Sequence, residues 1–284
     1  MMTKRQAISA GVFLALAVGC AVAPFVAPKL THKADEAFAP GAGQDNLLVV
    51  ATWNIRGYPE DDESDTRWMH QQLADLKADV LCVQEIANAE RVETFIADDK
   101  RLARSAFLDS SDGQDNAIFA DEKVSLDDIA DPEGFQHPAQ AAYVSCNGFD
   151  ALVVSVHLSW TNKEMRAHEK TLLKKVVADA LQRDPDVIIA GDFNTTEKDI
   201  ETLAGDIGLV VMVPAGQDGQ GTTHAGNRYD HFLISPDLAN EEAVSAHIET
   251  FAGDDLAVAK RVSDHLPVAA VFKTDAAFRD RTSP

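Results

Sequence analysis

Val187 to Thr195 reads VIIAGDFNT, an apolar run that ends in Asp192 and Asn194. Residues two apart on an extended chain point to the same side, so this carboxylate and carboxamide can address one target. The pattern recurs. Asn54 and Arg56 close VVATWNIRG, Glu85 closes VLCVQEI and His157 closes VVSVHL. Asp230 and His231 head YDHFLI, and Asp264 and His265 precede LPVAAVF. Taken singly, Asn and Asp cap turns, and a strand-end His is commonly only a hydrogen-bonding group. Their joint recurrence at the ends of apolar strands favours a shared site over independent capping.

Glu85, Asp192 and Asp264 are hard oxygen ligands, and Asn54 and Asn194 add neutral oxygens. Such a set suits Mg2+, with Mn2+ or Ca2+ as alternatives, whereas zinc would want more His or Cys. Divalent metal beside histidine is the equipment for hydrolysing phosphate esters. The metal offsets phosphoryl charge, one His takes a proton from water and another gives one to the leaving oxygen. No G-x-S-x-G, Walker A loop or G-x-G-x-x-G occurs, which argues against a serine hydrolase or a nucleotide-cradling loop.

The elements that must hold these residues alternate between strand and helix. LLVVATWNI and DVLCVQEI read as strands around a helix, DTRWMHQQLADLKA, with Trp68, Leu73 and Leu76 at helical spacing. A helix over AERVETFIAD and three extended runs follow: NAIFA, QAAYVSC and DALVVSVHL. The clearest helix carries Leu172, Leu173, Val176, Val177, Ala180 and Leu181 at spacings of three and four, behind a capping box of Thr161 and Glu164. After DVIIAGDFN come a short helix near Lys198 to Ala204 and the strands RYDHFLIS, AHIETF and HLPVAAVF. This order predicts a mixed α/β domain with sheets between helical layers, and strand ends are where such sheets place ligands.

The 284 residues are 45 % hydrophobic, enough to bury a core, and form one domain-sized regime without internal repeats. The formal charge is -21, which repels polyanions at long range, so a tight or processive grip on nucleic acid is not expected, although a local basic groove or bound cations can offset the mean field. Of the three cysteines, Cys82 and Cys146 lie in apolar runs and read as buried small hydrophobes. Residues 1–36 read as an export signal or membrane anchor: Lys4 and Arg5 precede an apolar run without charge until Lys29. Cleavage, anchoring and lipidation at Cys20 all fit that segment. The expected setting is therefore periplasmic, cell-envelope or secreted. Residues 37–46 read as a linker, 47–274 as the catalytic domain and 275–284 as a tail. A monomer is expected, touching membrane only through its N-terminal segment.

TWNIRG, VQEI, SVHLSW, IAGDFNT, YDHFLIS and SDHLPV together resemble, in order, the endonuclease/exonuclease/phosphatase superfamily and its pancreatic-type deoxyribonuclease branch. The resemblance spans Leu47 to Phe272. It implies a four-layer α/β sandwich, two packed mixed sheets flanked by helices. It also implies an exported, divalent-metal-dependent phosphodiester hydrolase, foremost an endonuclease on DNA or RNA. Glu85 then matches the main metal-binding glutamate, with Asn54 at metal and phosphate. Asp264 matches an aspartate of the metal site, and Asp192 and Asn194 match residues that hold the scissile phosphate, orient the attacking water or bind a second metal. His265 polarises water with Asp230 as its partner, His157 is the second catalytic histidine, and Arg56 lies near substrate phosphate.

Two departures stand out. Asp115 and Asn116 occupy the place of a Glu-Arg pair, so Asp115 is the expected partner of His157. Gln136 and His137 stand where a second phosphate-gripping arginine is expected. The loss of two cations predicts a weakly held nucleic acid. The alternative is the same chemistry on a lipid or small phosphoester, sphingomyelinase-like or inositol-phosphatase-like. A third reading, a non-catalytic binding module on this fold, would predict a broken metal site.

Overall fold

Alternation inside the strands decides the layers. A computed structural model describes residues 46–274 apart from 59–61, 111–112, 213, 215–216 and 218. One sheet orders β11 (Ala243–Ile248), β12 (Val268–Lys273), β1 (Leu47–Asn54), β2 (Val80–Ile86), β4 (Asp115–Ala120) and β3 (Arg104–Phe107). The other orders β5 (Ser125–Ala130), β6 (Gln140–Cys146), β7 (Phe149–His157), β8 (Val187–Asp192), β10 (Asp230–Ile234) and β9 (Val210–Met212). Both sheets are mixed: β1 runs parallel to β2 and β7 to β8, while their other pairings are antiparallel.

Leu48 and Val50 of β1, with Val80 and Cys82 of β2, meet Val153 of β7, Ile188 and Ala190 of β8, and Phe232 and Ile234 of β10 in one apolar cluster between the sheets. The intervening residues face outward, as period two requires. Val49, Ala51 and Trp53 pack with Met69 and Leu73 of α1 (Glu63–Leu76), Phe95 of α2 (Ala89–Asp98) and Val262 of α6 (Gly253–Val262). Val187 and Ile189 pack with Leu173 and Val177 of α3 (Lys163–Ala180) and Ile200 and Leu203 of α4 (Glu197–Ile207). The result is the expected four-layer α/β sandwich, helices outside two packed sheets.

Several local expectations need correction. The α3 cap is Asn162, whose Oδ1 accepts from the backbone N–H groups of Glu164 and Met165 at 3.0 Å, and not a Thr161–Glu164 box. A carboxamide one residue later reaches both orphan donors at once. Helix α6, the short helix α5 (Pro236–Glu241) and strands β3, β5 and β9 were not legible in the apolar pattern. Cys82 and Cys146 are buried, free, and members of the inter-sheet cluster. Among the described residues no helix is long and apolar enough to cross a membrane. The export segment with Cys20, the linker up to residue 45 and the tail lie outside the described residues.

Candidate active site

The inter-sheet face turns polar at one end of the sandwich. Continuing the inward alternation of β1, Thr52 and Asn54 follow Val50; in β2, Gln84 follows Cys82. In β7, Ser155 and His157 follow Val153, while Asp192 ends β8 and Asp230 begins β10. These side chains belong to the seam by register and are buried. Strand pairing then fixes neighbours: Asp192 lies between His157 of β7 and Asp230 of β10. Across the seam, Gln84 donates to Ser155 Oγ at 3.0 Å and accepts from Thr52 Oγ1 at 3.2 Å. This polar chain ties the sheets together just beneath the site, and Gln84 and Ser155 were missing from the sequence-based set.

Glu85 would point outward in an unbroken strand. Instead, β2 pairs Gln84 with Asn116 and Ile86 with Asp115, leaving Glu85 as a bulge in the left-handed region at φ 60°. The bulge re-aims its carboxylate, as such insertions do. Asn54 Nδ2 donates to Glu85 Oε1 at 2.9 Å and to Asp192 Oδ2 at 3.3 Å, bridging the two acids. The Oδ1 of Asn54 accepts from the Arg56 backbone at 3.0 Å. Arg56 itself is exposed, and its guanidinium has no partner among the described residues. Asn194 adopts φ 46°, its backbone N–H donates to Asp192 Oδ1 at 2.8 Å, and its Nδ2 donates to Leu158 O at 2.9 Å.

His265 follows Ser263, whose hydroxyl donates to Asn54 O at 2.6 Å and accepts from the His265 backbone at 3.0 Å. The Nδ1 of His265 lies 2.8 Å from Asp230 Oδ2, so its Nε2 is turned to Asp192 Oδ2, 3.6 Å away. His157 Nε2 approaches the same group, 3.8 Å from Asp192 Oδ2 and 3.7 Å from Glu85 Oε1. Two histidine nitrogens and three carboxylates thus converge.

Electrostatics follow from burial. Desolvation, then the neighbouring charge of Asp230, pushes the Asp192 carboxyl upward, opposed by His265, the Asn194 N–H and Asn54. Burial disfavours the His265 cation, but the Asp230 carboxylate, helped by Asp192 and Asp264, outweighs it and raises the imidazole. One carboxylate oxygen, Asp230 Oδ1, is buried without a hydrogen-bond partner. Ligand atoms of Asp192, Asp230 and His265 lie within 4.8 Å of one another, a candidate divalent-metal site. Its hard, buried, undercompensated oxygens fit a divalent cation. Glu85 and Asn54 border that group through the Asn54 bridge. Asp264 is exposed and stands outside the buried group, although its charge reaches His265.

The His157 side is braced by His137 and by Glu169, a residue outside the sequence-based set. The ring of His137 stacks on His157, centroids 4.6 Å apart at 16°. Glu169 of α3 is fully buried and accepts from the backbones of Gln136 at 2.9 Å and Ser159 at 2.8 Å. A signal existed: Glu169 occupies the buried helical position that Leu173, Val177 and Ala180 continue. Asp115 is buried and takes hydrogen bonds from the backbone and hydroxyl of Ser110. Asn116 donates to Pro138 O at 2.7 Å and thereby ties β4 to the loop bearing His137.

The profile of the Endonuclease/Exonuclease/phosphatase family matches residues 51–265. No curated protein sequence matches the chain. Similar solved structures include a Bacteroides thetaiotaomicron protein of this family, 17 % identical at TM-score 0.61, covering 81 % of this chain and 98 % of that one. TDP2 of D. rerio complexed with single strand DNA product is 19 % identical at TM-score 0.60, covering 80 % and 98 %. A mannosyl-6-phosphatase of Bacteroides thetaiotaomicron VPI-5482 is 17 % identical at TM-score 0.57, covering 78 % and 98 %. At these identities the likeness speaks to the fold.

Proposed function

The chain belongs to the endonuclease/exonuclease/phosphatase family, and on that premise we propose that it is an exported Mg2+-dependent nuclease acting on DNA or RNA phosphodiesters. Family membership and the Asp192, Asp230 and His265 group support metal-dependent hydrolysis of phosphate esters. The observation that carries the reading is the Asp230–His265 pair at 2.8 Å, which presents Nε2 toward Asp192 within a buried, acid-rich group.

A bound divalent cation would supply charge compensation to a phosphoryl group and to the carboxylates around it. Asp192, Glu85 and Asn54 are the residues to hold it, with Asp230 and His265 alongside. Asp230 fixes the orientation of His265, and once a bound cation offsets the acids that hold the imidazole protonated, its Nε2 can accept a proton from the attacking water. His157, held against His137, faces the same group and supplies a proton to the leaving oxygen. Asn194 is anchored through Asp192 and Leu158, which leaves its Oδ1 to orient water or substrate. Arg56 offers an unpaired cation for phosphate at the rim.

The second reading, hydrolysis of a lipid or small phosphoester, is favoured by the charge of -21 and by the loss of arginines at Asn116 and Gln136. A mannosyl-6-phosphatase is among the proteins of similar fold. Plasmid nicking by the full chain tests the two. Turnover is expected with Mg2+ or Mn2+, abolished by EDTA and by His265→Ala, and weakened by salt. Absence of nicking together with metal-dependent phosphate release from a sugar phosphate or a lipid phosphodiester refutes the nuclease reading. The N-terminal Lys4–Arg5 and apolar run support export, and a monomer acting from the envelope side is the proposed setting.

A further inference from the structure

Trp160 is the most exposed of the large apolar side chains among the described residues, at 63 %. Its indole makes no hydrogen bond or ring contact with them. Yet the backbone that carries it is among the most firmly held at the site. Leu158 donates to Asp192 O at 2.9 Å and accepts from Asn194 Nδ2 at 2.9 Å. Ser159 N–H is fixed by the fully buried Glu169, and Ser159 Oγ donates to Gln136 Oε1 at 2.8 Å. Arg166 Nη1 donates to Ser159 O at 2.5 Å and to Trp160 O at 3.2 Å. A rigid strap thus ends in an unpaired indole. It lies three positions beyond His157, a span of at most about 11 Å even for extended backbone.

We propose that Trp160 is a stacking platform for a nucleobase beside the hydrolysed phosphate, so that the enzyme takes single-stranded or frayed oligonucleotides. This rests on the metal-dependent phosphoesterase reading above and specifies its substrate. A flat π-face held in place at low entropic cost is what base stacking uses, and it tolerates any base. It also answers the charge problem. With a net charge of -21 the chain cannot rely on tracking a phosphate backbone, and one stacked base with the unpaired Arg56 gives local grip instead. A duplex hides its base faces, which is why single strands are the substrate. A membrane is disfavoured: Trp160 is flanked by Ser159, Thr161, Asn162 and Lys163, whereas interfacial insertion needs an apolar face.

The test compares a short single-stranded oligonucleotide with the same strand bearing abasic sites on both sides of one phosphate. The full chain with Mg2+ should cleave the base-bearing phosphate about tenfold or more better in kcat/KM. Trp160→Ala should erase that preference, with most of the loss in KM, and Trp160→Phe should keep most of it. A second readout needs no turnover: in the His265→Ala chain, oligothymidine should quench tryptophan fluorescence, and Trp160→Phe in that background should remove the quench. Equal cleavage of both strands by the wild type, or a preference surviving in Trp160→Ala, overturns the proposal. So does loss of binding to anionic phospholipid vesicles in Trp160→Ala without loss of the base preference. If no oligonucleotide is cleaved, the nuclease reading fails on its own, and an absent or Trp160-independent quench decides against the platform separately.

Discussion

Gly191, the residue before Asp192, is the position where the fold tolerates least. It sits in the middle of its sheet at φ 145°, a conformation that side chains rarely adopt, paired with Val156 of the parallel neighbour. A Cβ built there would lie 2.0 Å from the Val156 carbonyl oxygen and 2.9 Å from its nitrogen. Ordinary contact begins at 3.4 Å, so β7 and β8 would have to separate locally by about 1.4 Å, the difference of the two distances. Neither obstacle is a flexible side chain. Forcing the backbone angle costs about 1–3 kcal/mol, and overpacking adds about as much. A total of about 4 kcal/mol for Gly191→Ala lowers the melting temperature by roughly 8–16 °C in a domain of this size. The strands that part are those carrying His157 and Asp192, so kcat/KM should fall about 100-fold or more in whatever folds. Gly208→Ala is the control. It also has a left-handed φ, 77°, but nothing within 4 Å of the added methyl, and should cost about 1 kcal/mol. Thermal melting of the two variants checks the reasoning. If Gly191→Ala melts as high as Gly208→Ala, close approach of β7 to β8 is not what the glycine provides.

Other outcomes follow from the same geometry. Asp230→Asn keeps the shape but removes the charge that orients His265, and turnover should drop about 1,000-fold. The same variant leaves the buried His265 without its counter-charge, so the metal-free melting temperature at neutral pH should fall, with relief of the repulsion on Asp192 offsetting only part of the loss; an unchanged melting temperature would contradict the electrostatic account. Glu85→Gly relieves a residue held at φ 60° while deleting the carboxylate that borders the Asp192 group, the proposed metal-holding oxygen, so chemical denaturation should find stability kept or raised while activity is lost. His70 is half-buried against Tyr58 and Phe95, and desolvation lowers its pKa despite the charges of Asp98 and Asp99. The unfolded chain therefore takes the proton first. Its contribution is complete above the ordinary histidine pKa of about 6.5 and is lost as pH falls below that value and through the folded one. Urea midpoints of wild type and His70→Gln should converge on acidification; a constant gap would refute this.

What could be read in the chain was what strand alternation carries. An apolar strand that ends in Asp192, Asn54 or His157 announces both an element and a polar tip, because period two keeps the tip on the buried face. Strand pairing was not legible. That Asp192 lies between His157 and Asp230 depends on β7, β8 and β10 being neighbours, a fact of topology. Strand β5 escaped notice because it is an exposed edge without an apolar face, and β9 because it is three residues long. Glu169 was hidden for the opposite reason. A charged residue on a helix reads as solvent-facing unless its position in the apolar stripe is weighed.

The non-glycine residues with left-handed φ include Arg56, Glu85 and Asn194, all at this site. Each costs free energy that a relaxed strand end would not, about 1 kcal/mol or more for the glutamate. The inter-sheet core makes that affordable, because β1, β2 and β8 are pinned on both faces before they reach their tips. The same packing explains why the site can hold its acids close together. Asn54 bridges Glu85 and Asp192 from one sheet to the other, so drifting apart to relieve repulsion would require the sheets themselves to separate. Repulsion that cannot relax is available for binding a cation or a proton. The rigidity of the sandwich and the affinity of its acidic end therefore have one origin in the strands that alternate apolar residues and then stop.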